Sequence, residues 1–317
     1  MTLARVLRRA FERADASAIA VTRAGGAGAS VTYGELRANA LAFARALRDL
    51  GYVGRERAPL GVRVLDGAEA LTAYVGVGLA GCGARSGKRG EDARAAFGAG
   101  RARGTMVDFC DARDAGAIVG AHEPIAVGGG TIRDDVILYE VLLAAYGTAD
   151  AVAADAEVGG AEEDARYYFG SDRAVSGMAL ASCAERAVEA LGMTSADAVC
   201  STAPLGHAAG FGFTALAALT SGARLVFPRA IERGLNAVDA QRAMFDATLE
   251  AVRSERCTLV VADAHLTRVA DELRVDVSDL THLRGGLIKV GSGDEIGLAR
   301  PVEFLGARLT TVGAPKV

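Results

Sequence analysis

Short runs rich in β-branched and apolar residues alternate with helical patterns along this chain, and that alternation limits the fold more than any other feature. The runs lie at Thr105–Phe109, Ile118–Val119, Val199–Thr202, Arg224–Phe227, Thr258–Val261 and Leu287–Val290. Strands that take turns with helices indicate parallel sheets with helices packed on their faces. The chain is therefore predicted to be an α/β protein. Its first third fits the same scheme. Thr32-Tyr33-Gly34-Glu35 has the form of a capping box, in which the Thr side chain takes the third amide and the Glu reaches back. Leu36, Ala40, Phe43, Ala44 and Leu47 then recur at helical spacing, and Gly51 stands where a glycine ends a helix. Pro59–Leu65 alternates as a strand, and Ala68–Leu79 reads as a second helix with Tyr74 and Val75 on its apolar side. The acidic stretch Ala149–Asp164 is poor in large apolar residues and reads as a surface linker. The expected organisation is a first α/β segment over 1–150, a linker over 151–164 and a second segment over 165–317.

At 317 residues and 51% hydrophobic composition the chain can bury one large core or two smaller ones. Its 35 basic and 39 acidic residues leave a formal charge of −4, which provides no basic field for nucleic acid or an anionic membrane. No uninterrupted apolar run follows Arg5, Arg8 and Arg9, and stretches such as Ala208–Leu219 are shorter than the roughly twenty residues that cross a bilayer. A cytoplasmic location is expected. Cys82, Cys110, Cys183, Cys200 and Cys257 form no CxxC pair and lie near no histidine at ligand spacing, so they are expected to be buried thiols and not disulfides or zinc ligands. Gly83-Ala84-Arg85-Ser86-Gly87-Lys88 lacks the spacing of a phosphate-binding Walker loop and is expected to be a basic surface loop. Gly128-Gly129-Gly130 is expected to be a turn. His122, His265 and His282 have no partner at useful spacing and are read as structural, and no nucleophilic triad is predicted.

Three stretches carry a family resemblance. The first runs from Val31-Thr32-Tyr33-Gly34-Glu35-Leu36 through Gly51 to Ala73-Tyr74-Val75-Gly76-Val77-Gly78-Leu79-Ala80-Gly81. The second is Ser201-Thr202-Ala203-Pro204-Leu205-Gly206-His207-Ala208-Ala209-Gly210, followed by an apolar helix and the run Gly222–Phe227. The third spans Leu280 to Gly293. In order and spacing these resemble the "TY-x-EL", "LPL-x-H-x-x-G" and "L-x-x-LR" motifs of the N-terminal part of adenylate-forming enzymes, the superfamily of acyl-CoA synthetases, peptide-synthetase adenylation domains and luciferases. The resemblance implies two stacked α/β subdomains with mostly parallel sheets, here without the family's small β-barrel and C-terminal lid, since the sequence stops one residue after Lys316. It also implies an acyl pocket at His207, Gly210 and Phe211. For His207, an ordinary loop histidine is the competing reading.

The family's nucleotide motifs have changed. Its phosphate loop, "Y-T-S-G-[TS]-T-G-x-P-K-G", corresponds to Tyr167-Tyr168-Phe169-Gly170-Ser171-Asp172-Arg173-Ala174-Val175-Ser176-Gly177. Gly170, Ser171 and Gly177 are kept, Asp172 brings a negative charge to the place for phosphate, Arg173 follows it, and Ser176 replaces the lysine. The "Y-G-x-T-E" motif corresponds to Val312-Gly313-Ala314-Pro315-Lys316, where Val312 cannot stack on adenine and Lys316 reverses the charge of the magnesium ligand. Gly291-Ser292-Gly293-Asp294 reads either as a relic of the nucleotide-side turn or as a strand-to-helix connection capped by Asp294. These changes imply a catalytically inactive relative with no catalytic residues, metal or cofactor, which binds an acyl or aryl carboxylic acid or acts as a scaffold in a biosynthetic pathway. The alternative is a split acyl-AMP or acyl-CoA ligase whose C-terminal domain comes from another chain, and only that alternative requires ATP and Mg²⁺. A second copy or a biosynthetic protein is the expected partner, covering apolar surface near Val312 and Val317.

Overall fold

Two open sheets organise the chain in the computed structural model, which describes residues 2–25, 30–53, 58–87, 104–108, 125–127, 136–147, 163–232, 234–273, 275–292 and 301–314. One compact unit comprises Met1–Glu12 and Gly34–Ala179, the other Arg13–Tyr33 and Leu180–Lys316. The units are not the consecutive segments expected from the sequence. Strand pairing is the reason. Strand β1 (Ile19–Arg23) pairs with β11 (Arg224–Phe227), so an early segment joins the second unit. Strand β8 (Arg166–Phe169) pairs with β4 (Gly83–Ser86), so residues beyond the acidic stretch belong to the first. The greater part of 151–164, the run Ile118–Val119, Cys110, His122 and Gly128–Gly130 lie outside the described residues.

The first unit's seven-stranded sheet has the order β7-β6-β5-β3-β4-β8-β9 and is parallel except for the β8–β9 hairpin. Its remaining strands are β3 (Leu60–Arg63), β5 (Gly104–Asp108), β6 (Ile125–Val127), β7 (Ile137–Leu138) and β9 (Val175–Ser176). Helix α1 (Leu3–Arg13) buries Leu3, Leu7, Ala10 and Phe11, one stripe of an otherwise basic helix. Helix α2 (Tyr33–Asp49) buries Leu36, Ala40, Phe43, Ala44 and Leu47, as their spacing predicts. It ends at Gly51, whose φ of 76° lets the Tyr52 amide return to the Leu47 carbonyl at 2.9 Å. Helix α3 (Ala68–Ala80) is buried on every side, which explains its lack of a polar stripe. A Cβ at Gly78 would lie 2.8 Å from Leu7 and 3.0 Å from the Tyr167 hydroxyl, so the missing side chain is what admits α1 and β8. The buried Tyr167 hydroxyl donates to the Tyr74 carbonyl at 2.9 Å.

The segment expected to be a basic surface loop is instead β4, paired on both sides by β3 and β8. Arg85 is only 8% exposed because its guanidinium lies 4.7 Å from the centre of the Tyr168 ring and binds the loop beyond it. Lys88 lies outside the described residues.

The second unit's eight-stranded sheet has the order β14-β15-β13-β12-β10-β11-β1-β2, parallel through its centre and antiparallel at each edge. The strands not yet placed are β2 (Val31–Thr32), β10 (Ala198–Ser201), β12 (Leu259–Asp263), β13 (Gly285–Ser292), β14 (Val302–Phe304) and β15 (Ala307–Ala314). The α-helices not yet placed are α4 (Tyr139–Tyr146, in the first unit), α5 (Gly177–Leu191), α6 (Ala217–Ser221), α7 (Ala237–Ser254) and α8 (Ala264–Leu273). Phe245 of α7 meets Phe304 of β14 edge to face at 6.3 Å within an apolar cluster that includes Val260 and Ile288. At the start of β10 the buried Asp197 accepts from Arg284 Nε (3.0 Å) and Nη2 (2.9 Å), Thr258 Oγ1 (2.7 Å) and the Thr194 amide (2.8 Å). Cys82, Cys183, Cys200 and Cys257 are buried free thiols, as expected. Among the described residues no helix is long and apolar enough to cross a membrane.

Candidate functional site

The candidate residues fall into two constellations, one in each unit. In the first, β8 and β9 form a hairpin in the register Arg166↔Ser176 and Tyr167↔Val175, and Gly170 turns the chain with a φ of 69°. Ser171 bonds within the turn, accepting from the Arg173 amide at 3.3 Å. Asp172 Oδ1 accepts from Arg85 Nη1 at 3.0 Å, and the same nitrogen donates to the Ser171 carbonyl at 3.3 Å. The Asp172 side chain is 70% exposed, so the pair contributes at most about 1 kcal/mol, but it commits Arg85 to an internal carboxylate.

The helix that follows the hairpin is capped from inside. Asp164 Oδ2 accepts from the Met178 amide at 2.8 Å, Ser176 Oγ accepts from the Ala179 amide at 3.1 Å, and Asp164 Oδ1 also accepts from the Leu3 amide at 3.0 Å. One carboxylate thus holds the first turns of α5 and α1. A helix amino end with free amides attracts phosphate; here the chain's own oxygens stand on those amides. Gly177 has no room for a side chain, since a Cβ would lie 2.7 Å from Leu3 and 2.8 Å from Asp164 Oδ1. Sequence reasoning missed Asp164 because it closes a polar stretch that read as linker. Its position two residues before a strand gave no sign that it bonds the first turns of two helices far apart in sequence.

The second constellation lies at the carboxyl ends of β10, β12 and β13. The chain leaves β10 with Ser201 Oγ donating to the Ala203 carbonyl (3.0 Å) and Thr202 Oγ1 donating to the Val261 carbonyl (2.8 Å). The His207 amide then returns to the Pro204 carbonyl at 2.9 Å. A Cβ at Gly210 would overlap that carbonyl oxygen, so the turn requires glycine. Ala209–Leu216 is wound as a π-helix, with Thr214 Oγ1 donating to the Ala209 carbonyl at 3.1 Å, and wide turns of this kind are frequent at functional sites. Phe211, within this π-helical segment, is fully buried.

His207 is partly buried. Its Nδ1 accepts from the Ala209 amide at 3.0 Å, and its Nε2 stands 3.1 Å from Lys289 Nζ. Burial, followed by the charge of Lys289, pulls its pKa down from the usual 6.5 to about 4. Lys289 is placed by β13, in register with Asp263 of β12 and Val312 of β15. Sequence reasoning did not single out Lys289, since nothing in a β-rich run marks which residue faces a loop far away in the chain.

The other candidates are placed differently. Gly291 and Ser292 are the last residues of β13, so the strand continues through the first half of the expected turn. Gly293, Asp294, Lys316 and Val317 lie outside the described residues. Val312 and Gly313 belong to β15, and Val312 is fully buried, held by pairing with β13. It therefore adds no apolar surface for a partner, contrary to expectation. His265 is exposed beside Arg268, and His282 Nε2 contacts the Val252 carbonyl at 3.0 Å, both structural settings. Among the described residues no three His, Cys, Asp or Glu side chains are grouped so as to hold a metal ion.

No protein-family model matches the sequence, and no curated protein does. Solved structures do. The benzoate CoA ligase of Burkholderia xenovorans LB400 superposes with a TM-score of 0.71 at 23% identity, over 92% of this chain and 56% of that one. The anthranilate CoA ligase AuaEII, solved with anthranoyl-AMP, gives 0.68 at 17% identity over 91% and 55%. The amide bond synthetase McbA of Marinactinospora thermotolerans gives 0.64 at 19% identity over 92% and 55%. The chain spans little more than half the length of each. Identities this low carry the fold alone, and on that ground the chain has the α/β fold of the N-terminal part of the adenylate-forming enzymes.

Proposed function

We propose that the chain is a binding relative of the adenylate-forming enzymes, one that takes up a small acyl or aryl carboxylic acid and does not adenylate it. The observation that carries this reading is the self-occupied phosphate region. Asp172 holds Arg85, and Asp164 with Ser176 fills the amides at the head of α5. A polyphosphate at this place would have to displace two carboxylates and then sit beside them, and each like-charge contact at a few ångströms costs about 1 kcal/mol or more. The anthranoyl-AMP bound by AuaEII gives the ligand class its support, since that molecule joins an aryl acid to AMP on the same fold.

Two measurements test the reading. ATP–pyrophosphate exchange is expected to remain at the no-protein blank with fatty, aryl and amino acids. In a thermal-shift series, MgATP is expected to leave the midpoint unchanged, whereas the acid that fits raises it, because a ligand bound only by the folded state stabilises that state. Acid-dependent exchange well above the blank would overturn the proposal in favour of an active ligase.

A further inference from the structure

At the edge of the eight-stranded sheet opposite His207, where β1, β10, β11 and β12 begin and α7 ends, lies a cavity of about 540 Å³. Small-molecule sites span roughly 300–1,000 Å³. Ile19, 40% exposed, gives this cavity an apolar wall, and Ser195, Ser254 and Arg256 line it with donors. Its carboxylates are already taken. Arg224 donates to Glu255 Oε2 at 2.7 Å and to the Glu255 carbonyl at 2.6 Å, and Asp197 holds Arg284, Thr258 and the Thr194 amide. Among the described residues the Arg256 guanidinium and the hydroxyls of Ser195 and Ser254 have no hydrogen-bond partner. Arg256 is also unusual in its backbone. Helices α2, α3, α5 and α6 each end on a left-handed glycine (Gly51, Gly81, Gly192 and Gly222), after which an amide returns to the carbonyl five residues earlier. Helix α7 closes in the same way, with the Cys257 amide 3.1 Å from the Val252 carbonyl, yet the left-handed position, at a φ of 49°, is Arg256. A side chain costs backbone stability there that glycine would save. The charge of the helix end does not require it, because Arg253 already stands in the last turn.

We infer that this cavity is a second ligand site, for a small phosphomonoester whose phosphate meets Arg256 and whose apolar part lies against Ile19. The three terminal oxygens of a phosphate can take both prongs of a guanidinium and a serine hydroxyl on separate oxygens, which the two oxygens of a carboxylate cannot. The terminal phosphates of MgATP are held by magnesium, so that molecule is not a ligand of this kind. The strained position of Arg256 is then explained by its side chain, which supplies the cavity's one uncompensated charge among the described residues.

The test uses the whole chain and phenyl phosphate, with binding followed by calorimetry. Arg256→Gly is the informative variant, because glycine suits the left-handed cap and the fold is kept. Its ligand-free melting midpoint is expected to equal or exceed that of the wild type, while its affinity for phenyl phosphate falls by about 10- to 100-fold, the loss of a charge-assisted hydrogen bond. Ile19→Thr is expected to weaken phenyl phosphate by about three- to fivefold and to leave inorganic phosphate unchanged, which separates the apolar wall from the oxyanion contact. Phenyl phosphate that fails to bind the wild type, or that binds Arg256→Gly equally well, would overturn the proposal. A lower midpoint for Arg256→Gly would overturn it too, since the arginine would then be kept for the fold. The acid-binding reading is tested with carboxylic acids, so either can fail while the other stands.

Discussion

Asp197→Asn is expected to cost about 2 kcal/mol of stability near neutral pH, and the cost is expected to fade as the solution is acidified. The side chain is 6% exposed and its two oxygens accept from Arg284, Thr258 and Thr194. Burial alone would raise its pKa, but the bonds from Arg284, Thr258 and the Thr194 amide, with the Arg284 charge, outweigh burial and bring it from 3.8 to about 2. At about 1.4 kcal/mol per pKa unit this depression is worth roughly 2 kcal/mol, an upper value because water partly screens Arg284, which is 43% exposed. A depressed carboxylate stabilises the fold above its unfolded pKa and loses that contribution as the pH falls through its folded pKa. The window is thus about pH 4 down to about pH 2. Urea unfolding of wild type and variant at a series of pH values separates this carboxylate from the others, because only their difference is read. That difference should be largest above about pH 5 and shrink by most of its size on approaching pH 2. A difference independent of pH, or below about 0.5 kcal/mol throughout, would refute the assignment of Asp197 as the charged knot of the eight-stranded sheet.

Three further outcomes are expected. Gly210→Ala should lower the thermal midpoint by an amount equivalent to at least about 2 kcal/mol, since its methyl group overlaps the Pro204 carbonyl; an unchanged midpoint would show that the turn relaxes freely. His207, whose folded pKa is depressed, should make the ligand-free protein lose stability as the pH falls from about 6.5 to about 4, because the unfolded chain takes up the proton first. Comparison of melting curves with those of His207→Gln checks this, and parallel pH profiles would contradict it. Replacing Asp172 by Thr and Ser176 by Lys together should strengthen binding of a fluorescent ATP analogue by roughly tenfold through the change in charge. No gain would indicate that Asp164 at the head of α5 is the dominant block.

Local rules made much of the fold legible. The spacing of Leu36, Ala40, Phe43 and Leu47 marked the buried side of α2, and β-rich runs marked β10, β11, β12 and β13 because parallel strands buried on both faces are apolar throughout. What failed were judgements about partners distant in sequence. Arg85 looked like a solvated charge, yet Tyr168 and Asp172, more than eighty residues on, bury and bind it. Arg284 was visible within a motif but its partner Asp197 was not, and the pairing of Lys289 with His207 depends on which strand ends lie side by side. Spacing along the chain reports periodicity, and such pairs have none.

The pairing of β1 with β11 also has a consequence in time. Val21 must find Leu225, a partner made about 200 residues later, which at roughly 5 to 20 residues per second is a wait of about 10 to 40 seconds during synthesis. Through that interval the apolar strand Ile19–Arg23 has only the short β2 to lie against, and the hydroxyl of Tyr33 lacks the Ala218 and Ala223 carbonyls that later receive it. The nascent chain therefore carries an unpaired strand edge until Arg224–Phe227 is made, the kind of surface that holding chaperones engage, and this side of the eight-stranded sheet is completed only once β11 has emerged.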